Sequence, residues 1–139
     1  MGDGSSNTGI TVSIQAIRNL QSKVEQELAN MHLALVDVIK LAPRVSTMTT
    51  AAIKIIKMHP ALRDAVNKIL AEGFTVRLFS IDDDVIKPFP KEVTLLGDLD
   101  TAYDKCIDAA EDEVERMLRQ IYCGYAFLTL VSLIELPGY

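Results

Sequence analysis

The stretch IYCGYAFLTLVSLI, residues 121–134, contains no charged side chain and lies close to the C-terminal end of the sequence. A helix needs about 20 mostly apolar residues to cross a bilayer, so this stretch is short for a transmembrane segment. A helix that is apolar on all sides is typical of the centre of a bundle. The sequence therefore leaves three alternatives for this stretch: the protein's own core, a contact with another chain, or a membrane.

The stretch continues a helical pattern that starts at Tyr103. Apolar or small residues recur in steps of four and three at Tyr103, Ile107, Ala110, Val114, Met117, Ile121, Gly124, Leu128 and Val131. This spacing predicts one long last helix with a bend at Gly124. Asp98 is its expected N-cap, because an aspartate there accepts a backbone N–H. The other helices have narrow apolar faces, so we expect the last helix to be incompletely covered within one chain.

A second regular pattern occupies the first third of the sequence. Its positions are Ile10, Ile14, Ile17, Gln21, Val24, Leu28, Met31, Leu35, Val38 and Ala42. The mean step of three and a half residues is that of a coiled-coil seam, and it predicts one long helix. Pro43 is the expected end of this helix, because a residue before proline disfavours the α conformation.

The region between these two helices predicts shorter elements. A second helix is expected after Ser46 or Thr47, and a third from Pro60 to the residue before Gly73, as proline favours helix starts and glycine favours helix ends. Residues 74–81 have β-branched and aromatic side chains that predict a short strand, and residues 91–96 are its expected return strand, in a small hairpin that leans on the helices.

These elements predict the fold class and the domain organisation. The chain is expected to be mainly α, a bundle of about four helices with an extended, proline-containing connection before the last helix. Residues 1–9 are expected to form a flexible N-terminal arm, and residues 10–139 a single helical domain. With 49% hydrophobic and 6% aromatic residues, the chain has an aliphatic composition that suits packed helices.

Charge is unevenly distributed along the sequence. Residues 40–77 contain seven basic and two acidic residues, whereas residues 78–139 contain five basic and thirteen acidic residues. The acidic face is expected to be solvated or to face a basic surface of the same chain or of a neighbour. A net charge of −5 makes nucleic acid an unlikely partner class by composition.

The sequence does not predict catalysis. His32 and His59 belong to no metalloprotease or hydrolase motif, and the run of aspartates at 82–84 lacks the spacing of a calcium loop. Cys106 and Cys123 would stand about 25 Å apart on one helix, too far for a disulfide. We therefore expect no enzyme activity, no cofactor, no metal and reduced thiols.

Targeting signals are weak in this sequence. The absence of a secretory pattern and the reduced thiols predict an intracellular, cytoplasmic protein. Gly2 and Ser6 match the loose pattern for N-myristoylation, although Asp3 is unfavourable beside the acceptor glycine.

The expected function is non-enzymatic binding. The chain is expected to act as a protein–protein interaction or structural subunit that self-associates or binds a partner helix through aliphatic helix faces. The alternative is a membrane-active helical protein that uses residues 121–134. The expected contact residues are Ile121, Tyr125, Leu128 and Val131 of the last helix, with Leu28, Met31 and Leu35 of the first.

Overall fold

The computed structural model describes residues 2–30, 35–77 and 92–134, without the side chains of residues 2–8 and of Asn30. Its elements in chain order are α1 (Gly2–Asn30), α2 (Leu35–Lys57), α3 (Pro60–Glu72), β1 (Phe74–Arg77), β2 (Glu92–Leu95), α4 (Ala102–Asp108) and α5 (Glu113–Ser132). The prediction of a mainly α fold, a helical bundle with a small hairpin, is confirmed.

The first predicted helix is two helices in the structure. α1 ends at Asn30 and α2 begins at Leu35, so the regular apolar pattern runs across a chain reversal. The two helices are antiparallel: Ser13 Oγ lies 2.9 Å from His59 Nε2, and Arg44 Nη2 lies 2.8 Å from Glu27 Oε1. The backbone of residues 2–9, expected to be an arm, lies in the first turns of α1.

Pro43 does not end a helix, contrary to the sequence prediction, but lies inside α2. Proline removes the bond that its N–H would make to the carbonyl of Ile39 and costs roughly 3 kcal/mol in a helix interior. Pro43 is exposed, so water can satisfy that carbonyl, while Leu41, Ala42 and Val45 on the opposite side are buried. Burial of this side outweighs the local penalty, because each large aliphatic side chain contributes about 1.5–3 kcal/mol.

The third helix and the hairpin match their predictions. α3 begins with Pro60, and Gly73 terminates it with a φ of 93°, a conformation that glycine adopts readily. β1 and β2 pair antiparallel, with Phe74 opposite Leu95. Leu95 is fully buried and β2 contacts α5, which supplies the helical support that a two-stranded hairpin needs. The predicted acidic and proline-containing connection, residues 82–90, lies outside the described residues.

The last predicted helix is also two helices, α4 and α5, contrary to the sequence prediction. The chain turns between Ala109 and Asp112, and the Asp112 carboxylate accepts the backbone N–H of Glu115 at 2.8 Å. Glu115 in turn accepts the backbone N–H of Glu111 at 2.9 Å. These reciprocal bonds satisfy donors that a new helix start would otherwise leave unpaired, as in a capping box.

α5 is the central helix of the bundle. It contacts α1, α2, α4 and both strands. α1 runs antiparallel to it, since Arg18 donates to the carbonyl of Ser132 at 2.9 Å and Gln21 lies 3.5 Å from the hydroxyl of Thr129. Because α1 is antiparallel to both α2 and α5, those two helices run parallel to each other. The start of α2 and the start of α5 therefore lie at the same end of the bundle.

Candidate interaction surface

The four contact residues predicted on the last helix lie in the core of a single chain. Ile121, Leu128 and Val131 are 0% exposed, and Tyr125 is 8% exposed. The sequence predicted that the last helix is incompletely covered within one chain. In the structure these apolar side chains of α5 are covered by other elements of the same chain. A second chain can reach these side chains only if a neighbouring helix moves away.

The close approach of α2 and α5 explains how such complete coverage arises. A Cβ atom at Gly124 would lie 2.6 Å from Val45 Cγ1 and 2.7 Å from Thr49 Oγ1, distances that packed atoms do not adopt. Thr49 is fully buried and donates its hydroxyl to the carbonyl of Val45 at 2.8 Å, so it brings no unpaired donor into the core. Gly124 thus lets the backbones of α2 and α5 approach closely.

The tyrosines beside this contact are held in their neutral form. Burial raises the pKa of Tyr103, which donates its phenol hydrogen to the carbonyl of Gln120 at 3.1 Å. Burial raises the pKa of Tyr122 much further, and that of Tyr125 as well. A buried phenol resists ionisation because the charged form loses its hydration. These groups stabilise the packed core and leave no ionised oxygen for chemistry at neutral pH.

Cys106 and Cys123 form a disulfide, with α-carbons 6.1 Å apart. The prediction of reduced, distant thiols is wrong because it assumed one continuous helix, whereas the turn before Asp112 folds α4 back along α5. The cysteines are 4% and 0% exposed. The bond therefore links two core helices and is shielded from other thiols.

His59, which belongs to no catalytic motif, contacts another helix through its side chain. His59 lies before Pro60 without a capping bond from its side chain, and its ring contacts the hydroxyl of Ser13 on α1. His32 lies outside the described residues. In the part of the chain that the structure describes, no three His, Cys, Asp or Glu side chains are arranged to hold a metal ion.

The exposed aliphatic side chains concentrate at the start of α2. Leu35 is 49% exposed, Val36 55% and Ile39 50%. At 3.6 residues per turn they share one side of the helix, opposite the buried side that packs on α5. The exposed residues along this side, here called the α2 outer face, span about 120° of arc. They are Leu35, Val36, Ile39, Pro43, Thr47, Thr50, Lys54 and Lys57.

The other two residues predicted on the first helix have different positions. Leu28 is half-buried and packs against the core cluster from α1. Met31 lies outside the described residues. Of the seven predicted contact residues, Leu35 is thus the one that the described structure leaves exposed.

An acidic corner lies level with the start of the α2 outer face. Along the bundle axis, Glu27 of α1 lies at the height of Arg44 of α2, and Gln21 of α1 lies at the height of Thr129 of α5. Contacts to α1 therefore relate positions along α2 to positions along α5. Leu35 lies about 14 Å before Arg44 along α2, and this places it at the height of the first turn of α5. The acidic corner comprises the exposed residues Asp108, Glu111, Asp112 and Glu113.

The charges of this corner are only partly neutralised. Arg116 pairs with Asp108 at 3.2 Å, and Asp112 is occupied as the cap of α5. Glu111 and Glu113 form no ion pair with any side chain that the structure describes. Next to the aliphatic patch itself, α2 carries an exposed basic residue, Lys40, which directly follows Ile39.

Sequence reasoning missed Val36 and Ile39, which share the exposed patch at the start of α2 with Leu35. Both flank the predicted apolar seam, and together with Leu35 they occupy positions i, i+1 and i+4 of a second face. A helix segment that is apolar on two faces has one face left over once the first is buried. The excess of apolar residues at positions 35, 36 and 39 was therefore the available signal in the sequence.

The chain was compared with protein families, curated proteins and solved structures. No protein-family model matches the chain. Neither a curated protein nor a solved structure matches it. Within the described ranges, no helix combines the length and the apolar character needed to cross a membrane.

Proposed function

We propose that the protein is a non-enzymatic interaction or structural subunit that binds another protein chain through the α2 outer face. One observation carries the proposal: Leu35, Val36 and Ile39 are half-exposed on one side of a helix whose other side is buried. Three adjacent aliphatic side chains, with the half-buried Asp37 and the exposed Lys40 next to them in α2, provide an apolar centre and a polar rim. Interfaces between proteins have this organisation.

The energy available from this patch sets the expected strength of binding. Covering the exposed half of a Leu, Val or Ile side chain contributes about 1 kcal/mol at about 25 cal/mol per Å². Three such side chains provide only part of what association requires, because two chains lose translational and rotational freedom on binding. The proposed contact is therefore weak or transient unless the remainder of the α2 outer face takes part.

The disulfide affects which cellular compartment is expected for this protein. Disulfides persist in oxidising compartments and in the intracellular proteins of hyperthermophiles. The expectation of a cytoplasmic location rested on reduced thiols, and the Cys106–Cys123 bond removes that support. We propose that the protein functions in its oxidised form. Blocking free thiols at the moment of cell lysis, followed by mass measurement, tests this: recovery of both cysteines as blocked thiols contradicts it.

The binding proposal is tested by position-specific photo-crosslinking in the native host. A photoreactive residue at Ile39 is expected to form a discrete crosslinked product, whereas the same residue at Val12 is not. Val12 is the matched control, because it is an aliphatic residue 62% exposed on α1. No product from Ile39, or equal products from both positions, would contradict the proposal.

Membrane binding by the folded protein would favour the alternative function, that of a membrane-active helical protein. Residues 121–132 lie in the central helix of the fold, so the membrane reading requires α5 to leave its own core. Flotation of the folded protein with vesicles of neutral lipid distinguishes the two. Flotation of wild type, unchanged by Ile39→Lys, would favour the membrane reading.

A further inference from the structure

The exposed charges of α2 all have one sign. Its single acidic residue, Asp37, is half-buried in the first turn, where the helix dipole stabilises negative charge. Its basic residues are all exposed: Lys40, Arg44, Lys54 and Lys57. Lys54 and Lys57 belong to the α2 outer face, and Lys40 borders it one turn after Val36. The surface that α2 exposes is therefore positively charged as well as aliphatic at its start.

Two of these four positive charges are neutralised within the chain. Arg44 and Lys57 each pair with a carboxylate of a neighbouring segment. Lys40 and Lys54 form no ion pair with any side chain that the structure describes. These two lysines remain available to a partner of opposite charge.

The middle of the α2 outer face carries small side chains. Pro43, Thr47 and Thr50 are exposed there. Thr47 donates its hydroxyl to the carbonyl of Pro43 at 2.9 Å, which satisfies this hydroxyl within the helix. Small side chains between the aliphatic patch and Lys54 allow the backbone of another helix to approach closely.

We infer that the occupant of the α2 outer face is an acidic amphipathic helix of a partner protein. The inference rests on the proposed function and names the chemistry of the partner. Apolar side chains of the partner helix cover Leu35, Val36 and Ile39, and its carboxylates lie opposite Lys40 and Lys54. Burial of the aliphatic patch supplies affinity, while charge complementarity selects an acidic partner over a basic one.

The positions of the two unpaired lysines specify the pattern that the partner helix carries. Lys40 directly follows the aliphatic patch, whereas Lys54 lies 14 residues further along the sequence, about 21 Å along the helix. A helix lying along α2 therefore has one acidic residue beside its apolar contact and a second about 14 residues away. The distance between the lysines is the same in both directions, so parallel and antiparallel docking need the same spacing.

A bilayer surface fits this face less well than a helix does. A helix that lies on a membrane has apolar side chains in one stripe along its length, with basic side chains on the polar side. On α2 the two kinds of residue follow one another along the same stripe. Val36 and Lys54 are 18 residues apart, which is five full turns, so they share one angular position. Only the first turns of α2 could enter the lipid, and this favours a partner helix.

Crosslinking from position 39 in a charge-reversed chain tests the inference. The photoreactive residue at Ile39 is combined with Lys54→Glu, which lies about 22 Å away along α2 and leaves the surroundings of the probe unaltered. The yield of crosslinked product in the native host is expected to fall about fivefold, because an attractive contact becomes a repulsive one. Lys68→Glu, at an exposed lysine of α3, makes the same change in net charge and should leave the yield unchanged. Mass spectrometry of the product should locate the crosslink in an amphipathic segment with acidic residues at the expected spacing.

The outcomes separate this inference from the function on which it rests. Equal yields from Lys54→Glu and from the chain with Lys54 intact, or a crosslinked segment without acidic residues, overturn the acidic partner and leave the α2 outer face as a protein-binding surface. Absence of any product from Ile39 contradicts the proposed function itself. Flotation of the folded protein with vesicles of phosphatidylcholine and phosphatidylserine, lost in Lys54→Glu, would replace the partner helix by an anionic membrane.

Discussion

The α-carbons of Cys106 and Cys123 lie 6.1 Å apart, and their sulfurs join α4 to α5 across the turn between these helices. The two cysteines are separated by 17 positions in the sequence, so the bond stabilises the fold by about 3 kcal/mol through the restriction of the unfolded chain. We therefore expect Cys106→Ala/Cys123→Ala to lower the free energy of unfolding by that amount. Denaturant titration measures this, and reductant should destabilise wild type but leave the double variant unchanged.

The division of the last helix could have been predicted from one local signal. The apolar steps of four and three continue through Ala110 and Val114, so periodicity alone does not mark the turn. The pair Asp112 and Glu115, three residues apart, is the signature of a capping box and the sign of a new helix. Without that reading the two cysteines are assigned to one helix, and their bond is missed.

The site was only partly predictable for a related reason. Sequence pattern shows that a side chain belongs to an apolar face, but not which neighbour covers that face. Tyr125 and Leu128 lie in the uncharged stretch 121–134 and are buried, because α5 is central. Leu35 belongs to the first predicted seam and is half-exposed, because in α2 it lies outside the side of the helix that packs on α5.

Gly124→Ala should destabilise the fold by about 1–3 kcal/mol, the usual range for overpacking a core. The new methyl group would lie within 2.7 Å of Thr49 Oγ1 and closer still to Val45. Thermal or denaturant unfolding measures the change. Gly9→Ala is the control: its methyl group would lie 3.6 Å from His59 Cε1, an ordinary contact, so higher helix propensity should make it neutral or stabilising.

Shortening Val45 tests whether its contact with the new methyl group causes the loss of stability in Gly124→Ala. Val45→Ala combined with Gly124→Ala should lose less stability than the sum of the two single variants, since the smaller residue leaves space for the new methyl group. Simple additivity of the two losses would show that Gly124 is required for some reason other than its contact with Val45.

Alanine should have opposite effects at the two helical prolines. Pro43→Ala is expected to stabilise the fold by about 1–2 kcal/mol, because it restores a donor for the carbonyl of Ile39 inside α2. This value already includes the opposing effect, since the unfolded chain regains conformational entropy when proline is removed. Pro60→Ala should destabilise by about 0.5–1 kcal/mol, because proline at the first position of α3 breaks no helical bond. Unfolding curves of the two variants under the same conditions measure both effects. A loss of stability in Pro43→Ala would show that the packing of α2 on α5 depends on the proline.

Asp98 should make the stability of the fold depend on pH in the acid range. The Thr101 hydroxyl, foremost, and the backbone N–H of Asp100 hold the pKa of Asp98 below its usual range. A carboxylate with a lowered folded-state pKa contributes stability above its unfolded pKa of about 4 and loses it as the pH falls through the folded-state value. Asp98→Asn keeps an oxygen acceptor but removes the charge. The stability advantage of wild type over Asp98→Asn should therefore be largest near neutral pH and diminish below about pH 4.

Thr101→Val tests the cause of that lowered pKa. It removes the hydroxyl that donates to Asp98 Oδ1 at 3.0 Å while leaving the carboxylate and the backbone donors in place. Without this donor the ionised form of Asp98 is stabilised less, and its pKa should move back toward the ordinary value. The acid loss of stability should then begin and end over a narrower pH interval than in wild type, as followed by circular dichroism during denaturant titration at each pH. If Thr101→Val and wild type lose stability over the same interval, the hydroxyl does not hold the carboxylate in its charged form.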